Sequence, residues 1–158
     1  MTKLVIIYDS KTGNTEKMAK SISEGAKSVK GVKVILKKIG ESFSLTMLND
    51  ADAIILGAPA HYAYVTPDMR DFLACLRGMV DDKRLNLKGK LGAVFGSYGW
   101  DGGVSIEKMA VSMEKLGIKM HSEVLTQVSP LPFPKLTDES IQQCRNLGKT
   151  ISEKASKK

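Results

Sequence analysis

Five short apolar runs, each followed by a stretch with helical spacing, constrain this chain more than any other feature. Leu4-Val5-Ile6-Ile7-Tyr8 comes first, a continuous run of the kind buried on both faces of a parallel sheet. Met18, Ile22, Ala26 and Val29 then recur at helical intervals, which predicts an amphipathic helix of about 16 residues. After Gly31, residues 32–36 alternate with Lys33 and Lys37 as an edge-side strand does. Residues 43–49 suggest one short helix, and 51–56 a third strand closed by Gly57-Ala58-Pro59. Thr66-Pro67 is a helix start, Thr as N-cap and Pro at the first helical position, with Met69, Phe72, Leu73 and Leu76 as its apolar stripe. Residues 91–95 predict a fourth strand that runs into the glycine-rich segment 96–103. Ile106, Met109, Met113 and Leu116 mark the next helix, and 119–128 hold the fifth strand. Pro130, Pro132 and Pro134 stiffen a loop; Thr137 then opens a last helix carrying Ile141, Cys144, Gly148 and Ile151 on one face. The lysine-rich end, Lys154 to Lys158, reads as frayed.

Strands alternating with helix-length crossovers argue a doubly wound α/β sheet of five parallel strands with helices on both faces. With 158 residues, no repeat and no low-complexity linker, the expectation is one domain over 1–158. At 42% apolar and 26% charged the composition excludes disorder as the main state. No stretch reaches the roughly 20 apolar residues of a membrane span, and the first apolar run is too short for a signal-peptide core. Cys75 and Cys144 belong to no C-x-x-C or Cys/His cluster and read as core, so neither a disulfide framework nor a zinc site is expected. His121 reads as a surface or structural residue. The cytoplasm is the expected compartment.

In such sheets ligands bind outside the carboxyl ends of the strands, so the loops after the first, third and fourth strands carry the chemistry. The first is Asp9-Ser10-Lys11-Thr12-Gly13-Asn14-Thr15, at the start of a helix. Hydroxyls and an amide there, together with the helix's N–H groups and dipole, suit an anion. A capped turn needs only one such residue, and Ser10, Thr12, Asn14 and Thr15 are four. No Gly-Lys-Ser/Thr follows and no G-x-G-x-x-G is present, so a monophosphate is favoured over a nucleoside triphosphate or a dinucleotide. The second loop, Gly57 to Thr66, holds His61, Tyr62 and Tyr64, side chains able to stack on a flat ring; a plain surface loop with one Tyr packed down explains it equally well. His61 alone is better read as structural or exposed than as a base. The third pairs a glycine run with Tyr98 and Trp100; the plain alternative is a turn plugged by Trp. A phosphate cradle beside two aromatic, small-residue loops describes a pocket for a planar ring joined to a phosphate, and flavin mononucleotide (FMN) fits it.

At these residues the chain resembles a flavodoxin. Ser10-Lys11-Thr12-Gly13-Asn14-Thr15-Glu16 is similar to the family's T/S-x-T-G-x-T phosphate loop, and residues 51–59 and 95–102 resemble its two flavin loops. Gly96-Ser97-Tyr98-Gly99-Trp100 looks nearest to the flavodoxin-like part of A-type flavoproteins; no diiron domain accompanies it, and the chain has only two His. The resemblance implies a short-chain flavodoxin fold with strand order 2-1-3-4-5 and one non-covalently bound FMN that moves one or two electrons between redox partners. Carried over position by position, Ser10, Lys11, Thr12, Gly13, Asn14 and Thr15 hold the phosphate. Pro59, Ala60, His61, Tyr62 and Ala63 border the ring on one side, and Ser97, Tyr98, Gly99, Trp100, Gly102 and Gly103 on the other. The second loop has no Gly at 60–64, where many flavodoxins use one for a peptide flip that stabilises the one-electron-reduced state; that flip is harder for other residues.

The alternative function is an FMN-dependent NAD(P)H:quinone reductase of the WrbA-like group, which residues 52–59 and 69–73 also resemble. A flavin-free module that binds a polyanion through its basic surface is a third class, and nucleic acid is not expected as a partner. No nucleophile–base pair or metal cluster is visible, so no catalytic residue is assigned. The formal charge is +7, from 24 Lys+Arg and 17 Asp+Glu. The loops 9–15, 57–68 and 96–103 together carry −2, leaving +9 on the rest. The expectation is a cationic body, most of its charge away from the strands' carboxyl ends, around a slightly acidic rim. It would be steered to acidic redox proteins as a monomer or weak homodimer, with no membrane partner.

Overall fold

A computed structural model describes residues 1–11, 13–61, 64–98, 103–121, 125–128 and 136–157, with backbone alone for His61 and 125–128. Strand β1 (Thr2–Tyr8) leads to helix α1 (Asn14–Lys27), edge strand β2 (Val32–Lys38), a short 3-10 helix (Leu45–Asp50) and β3 (Ala53–Gly57). Two short strands, β4 (Ala60–His61) and β5 (Tyr64–Val65), precede α2 (Pro67–Asp81), and β6 (Leu91–Tyr98) precedes α3 (Val104–Lys115). Strands β7 (Lys119–Met120) and β8 (Leu125–Val128) and helix α4 (Asp138–Ser156) complete the chain.

The sheet is parallel throughout, in the order β2-β1-β3-β6, with β7 and β8 one after the other along the far flank of β6. Counted by position it is the expected five-stranded 2-1-3-4-5 arrangement. The fifth position differs in one respect: it is made of two pieces, β7 against Leu91 and Gly92, and β8 against Phe95 to Tyr98. The Pro130, Pro132 and Pro134 loop lies outside the described residues.

Alternation along β1 sends Leu4, Ile6 and Tyr8 to one face and Val5 and Ile7 to the other, and all five are buried. The first face meets α1 and α4 through Met18, Ile22, Cys144 and Ile151; the second meets α2 and α3 through Met69, Leu76, Met109 and Met113. Burial on both faces explains why the strands read as unbroken apolar runs. Helix α1 stops at Lys27, and Val29 lies half-buried in the turn beyond it. Helix α4 overturns the frayed reading of the tail: it continues to Ser156, Ala155 is buried, and the Ser156 hydroxyl donates to Thr2 Oγ1 at 3.2 Å. Cys144 is core as expected, but Cys75 is exposed on α2, because its position falls outside the Met69/Phe72/Leu76/Met79 stripe.

Strand β6 also outruns its expected end, since Gly96, Ser97 and Tyr98 stay paired with β8. Gly96 serves packing there: a Cβ would overlap the Ala58 carbonyl oxygen and the Ile106 side chain. The segment after Pro59, expected as an open loop, contains an antiparallel pairing of Ala60 with Val65 and His61 with Tyr64.

Candidate functional site

Strands β1 and β3 end side by side at Tyr8 and Gly57, and β6 runs three residues past that row, from Phe95 to Tyr98, at the same end of the sheet. The first loop turns sharply. Gly13 takes φ +95° as the residue before α1, a left-handed conformation that glycine adopts without strain. Asn14 and Thr15, in the first helical turn, are buried. Ser10 braces the turn: its Oγ accepts from the backbone N–H of Gly13 (3.1 Å) and of Glu16 (3.3 Å). A hydroxyl oxygen that accepts twice still has its proton to donate, so Ser10 is left as a donor at the mouth of the helix. Thr15 Oγ1 shares a buried hydrogen bond with Ser97 Oγ at 3.1 Å, which ties the first loop to the end of β6.

Lys11 does not turn toward the helix N-terminus. Its ammonium donates to Asp68 at 3.2 Å and stands 3.6 Å from Asp9, and these two acids, the Asp68 hydrogen bond first, raise its pKa. Glu16 accepts from the buried Tyr8 hydroxyl at 3.0 Å and pairs with Lys20 at 3.7 Å. The Tyr8 bond and the Lys20 charge hold its carboxyl below the usual range. Burial, and then the Glu16 carboxylate, push the Tyr8 phenol up to about 12.

Asp9 and Thr66, in sequence the first residue of a loop and an N-cap, meet in the fold. The Asp9 carboxylate is buried, and accepts from its neighbour's backbone N–H (Ser10, 3.0 Å) and from the Thr66 hydroxyl (2.5 Å). Thr66 in turn accepts from Met69 N–H at 3.3 Å as the N-cap of α2. One hydroxyl thus fastens the first loop to the start of α2 and satisfies a buried charge. An Asp directly after a buried strand and a Thr-Pro helix start are visible signals, but 57 positions separate the two residues.

Of the ring-side candidates, Pro59 and Ala60 are half-buried beside the 60–65 hairpin, and His61 is described by its strand backbone alone. Ser97 is buried, Tyr98 half-buried at the strand end, and Gly103, with φ +84°, precedes α3 as its cap residue. Thr12, Tyr62, Ala63, Gly99, Trp100 and Gly102 lie outside the described residues, Tyr62 and Ala63 being the middle of the stretch that bears on the peptide flip. His121 is half-buried, its Nδ1 3.2 Å from Lys154 Nζ, far from these loops in the fold. Among the described residues no cluster of His, Cys, Asp and Glu could hold a metal ion.

What the described residues build is a helix N-terminus with hydroxyl donors beside it, and two further loops at the same end of the sheet. That donor set suits a phosphate ester carrying a larger group. The flavodoxin family model matches residues 6–132. A flavodoxin of Aquifex aeolicus is 30% identical over 97% of this chain and 86% of its own length. A solved flavodoxin from the domain Archaea superposes with a TM-score of 0.84 at 33% identity, covering 98% of this chain and 99% of that one. The rubredoxin oxygen:oxidoreductase of Desulfovibrio gigas gives a TM-score of 0.81 at 26% identity over 99% of this chain, which spans only 37% of that protein.

Proposed function

This chain belongs to the flavodoxin family and so is an FMN-binding electron-transfer protein whose partners are redox proteins, and we propose that the three loops divide the cofactor among them. The phosphate sits at the N-terminus of α1, held by Ser10, Thr12, Gly13, Asn14 and Thr15; Lys11, engaged by Asp68 and Asp9, contributes long-range charge. The ring lies between Pro59, Ala60, His61, Tyr62 and Ala63 on one side and Ser97, Tyr98, Gly99, Trp100, Gly102 and Gly103 on the other.

One observation carries this reading: the left-handed turn at Gly13, braced by Ser10, which sets hydroxyl donors beside the N-terminus of α1. FMN supplies the redox chemistry, accepting and releasing one or two electrons. The chain's residues bind and orient it. Asp9 and Thr66 hold the phosphate loop against α2, and the Thr15–Ser97 bond fixes that loop relative to the ring-side strand. We place the protein in the cytoplasm, where its two free cysteines stay reduced, as a monomer or weak homodimer steered to acidic partners by its charge of +7.

Reductive titration of the FMN-loaded protein, followed by absorbance, tests the reading. The expected result is stoichiometric flavin uptake and stepwise bleaching, with Ser10→Ala weakening FMN binding about tenfold through one lost donor. A protein that shows no flavin spectrum after incubation with FMN would falsify it. Incubation with NADH or NADPH separates a carrier from a quinone reductase: the carrier bleaches slowly and turns over no quinone.

A further inference from the structure

Helices α2 and α3 lie side by side on one face of the sheet and leave between them a groove of about 640 Å³ that no part of the phosphate loop enters. Its floor is apolar: Val65, Leu73 and Ala74 on one side, Met109 and Leu116 on the other. Its rim is cationic. Arg70 and Arg77 stand on α2, Lys108 and Lys115 on α3, and among the described residues no carboxylate lines the groove. Each pair of cations is seven residues apart, two helical turns or about 10.5 Å, so the charges form two short rails with the apolar trough between them. The rails are level. Lys108 lies 4.3 Å over the ring of Tyr64 at the upper end, and Arg77 donates to the Lys115 carbonyl at 3.0 Å at the lower. Arg70 pairs with Asp71 at 3.6 Å and Arg77 with Asp81 at 3.1 Å, and neither acid lines the trough.

We propose that this groove docks an acidic amphipathic helix of a partner protein, its apolar stripe in the trough and carboxylates on the two rails. An apolar stripe flanked at seven-residue spacing by acids matches the pattern on both sides at once. A small anionic amphiphile would satisfy one end only. For its purpose the proposal rests on the carrier reading: Tyr64 and Val65 form the upper end of the groove, close in the chain to the proposed ring-side residues, so a helix seated there brings its parent protein beside the proposed ring site.

The test uses the FMN-loaded protein and a designed helical peptide of about 18 residues, leucines in one stripe and glutamates flanking it, against a scrambled peptide of equal composition. Amide shifts read by NMR are expected along α2, α3 and residues 64–65, with the scrambled peptide binding at least about tenfold more weakly. The Lys108→Glu/Lys115→Glu double variant should lose at least about tenfold in affinity through charge alone. Ala74→Trp, at an exposed position, should block the trough without unfolding the protein. Absent or scattered shifts, unchanged binding in Ala74→Trp, or saturation by dodecanoate in preference to the peptide would overturn the proposal. FMN uptake is read separately, so its failure with peptide binding intact sinks the cofactor assignment, and uptake without peptide binding sinks the groove alone.

Discussion

At the scale of single residues the site depends on polar atoms that are buried and fully used. Thr66 is the clearest case, since it both donates to Asp9 and caps α2. Thr66→Val should cost about 2–4 kcal/mol, combining a lost cap with a buried carboxylate short of a donor. Urea unfolding measures it, and Thr66→Ser should recover most of the loss; a Val variant as stable as the parent would contradict the double role. Cys144 acts through its proton. Burial pushes its thiol up to about 12 from 9.0, so the fold favours the neutral form. That contribution is complete below pH 9.0 and is lost as pH rises toward 12, because the unfolded chain ionises first. The slope reaches about 1.4 kcal/mol per pH unit for one group. Tyr8, raised from 10.0 to about 12, adds a second loss over its own interval. Chemical unfolding between pH 8 and 11 should therefore show falling stability, less steeply in Cys144→Ala; parallel curves for the two proteins would exclude the thiol as a source.

At the scale of elements, sequence periodicity located the helices and the sheet but could not see contacts between them. Gly25 and Gly148 lie inside helices α1 and α4, where a glycine costs about 1 kcal/mol against alanine. Their reason is the crossing of α1 and α4: a Cβ at 25 would overlap the Arg145 carbonyl, and one at 148 the Ile22 carbonyl. Gly148→Ala should thus destabilise by about 1–3 kcal/mol by forcing the helices apart, although alanine is the better helix former. Calorimetry decides it, since a raised Tm would mean the crossing relaxes freely. Gly96 belongs to the same class; in sequence it looked like part of a ligand loop, and in the fold it is a packing glycine inside β6. The hairpin at 60–65 escaped notice because two-residue strands leave no periodicity to read.

At the scale of the whole molecule the charge of +7 divides unevenly. Lys27 ends α1 and Lys30 follows it, while Lys83, Arg84, Lys88 and Lys90 precede β6, so these groups lie toward the amino ends of the strands. Lys37 and Lys38 depart from that expectation, since they end edge strand β2 beside Ile7 and Tyr8, at the site's own height. Arg70 and Lys108 likewise stand near the upper end of the α2–α3 groove. Cationic groups on the approach face favour an acidic partner. Electron-transfer rates with an acidic redox protein should fall about fivefold or more between 10 and 150 mM salt, as the Debye length shortens to about 8 Å; stopped-flow rates indifferent to salt would refute steering. The amino-acid order alone determined the sheet, its helices and the glycine turn before α1, because burial on two faces and helix-start chemistry are local patterns written in adjacent residues. Only the tertiary structure decided that Asp9 meets Thr66, that Lys11 turns to Asp68, that Gly148 faces a carbonyl and that four cations frame one apolar groove. Those are encounters between side chains far apart in sequence, set by how the elements pack, and no local pattern encodes them.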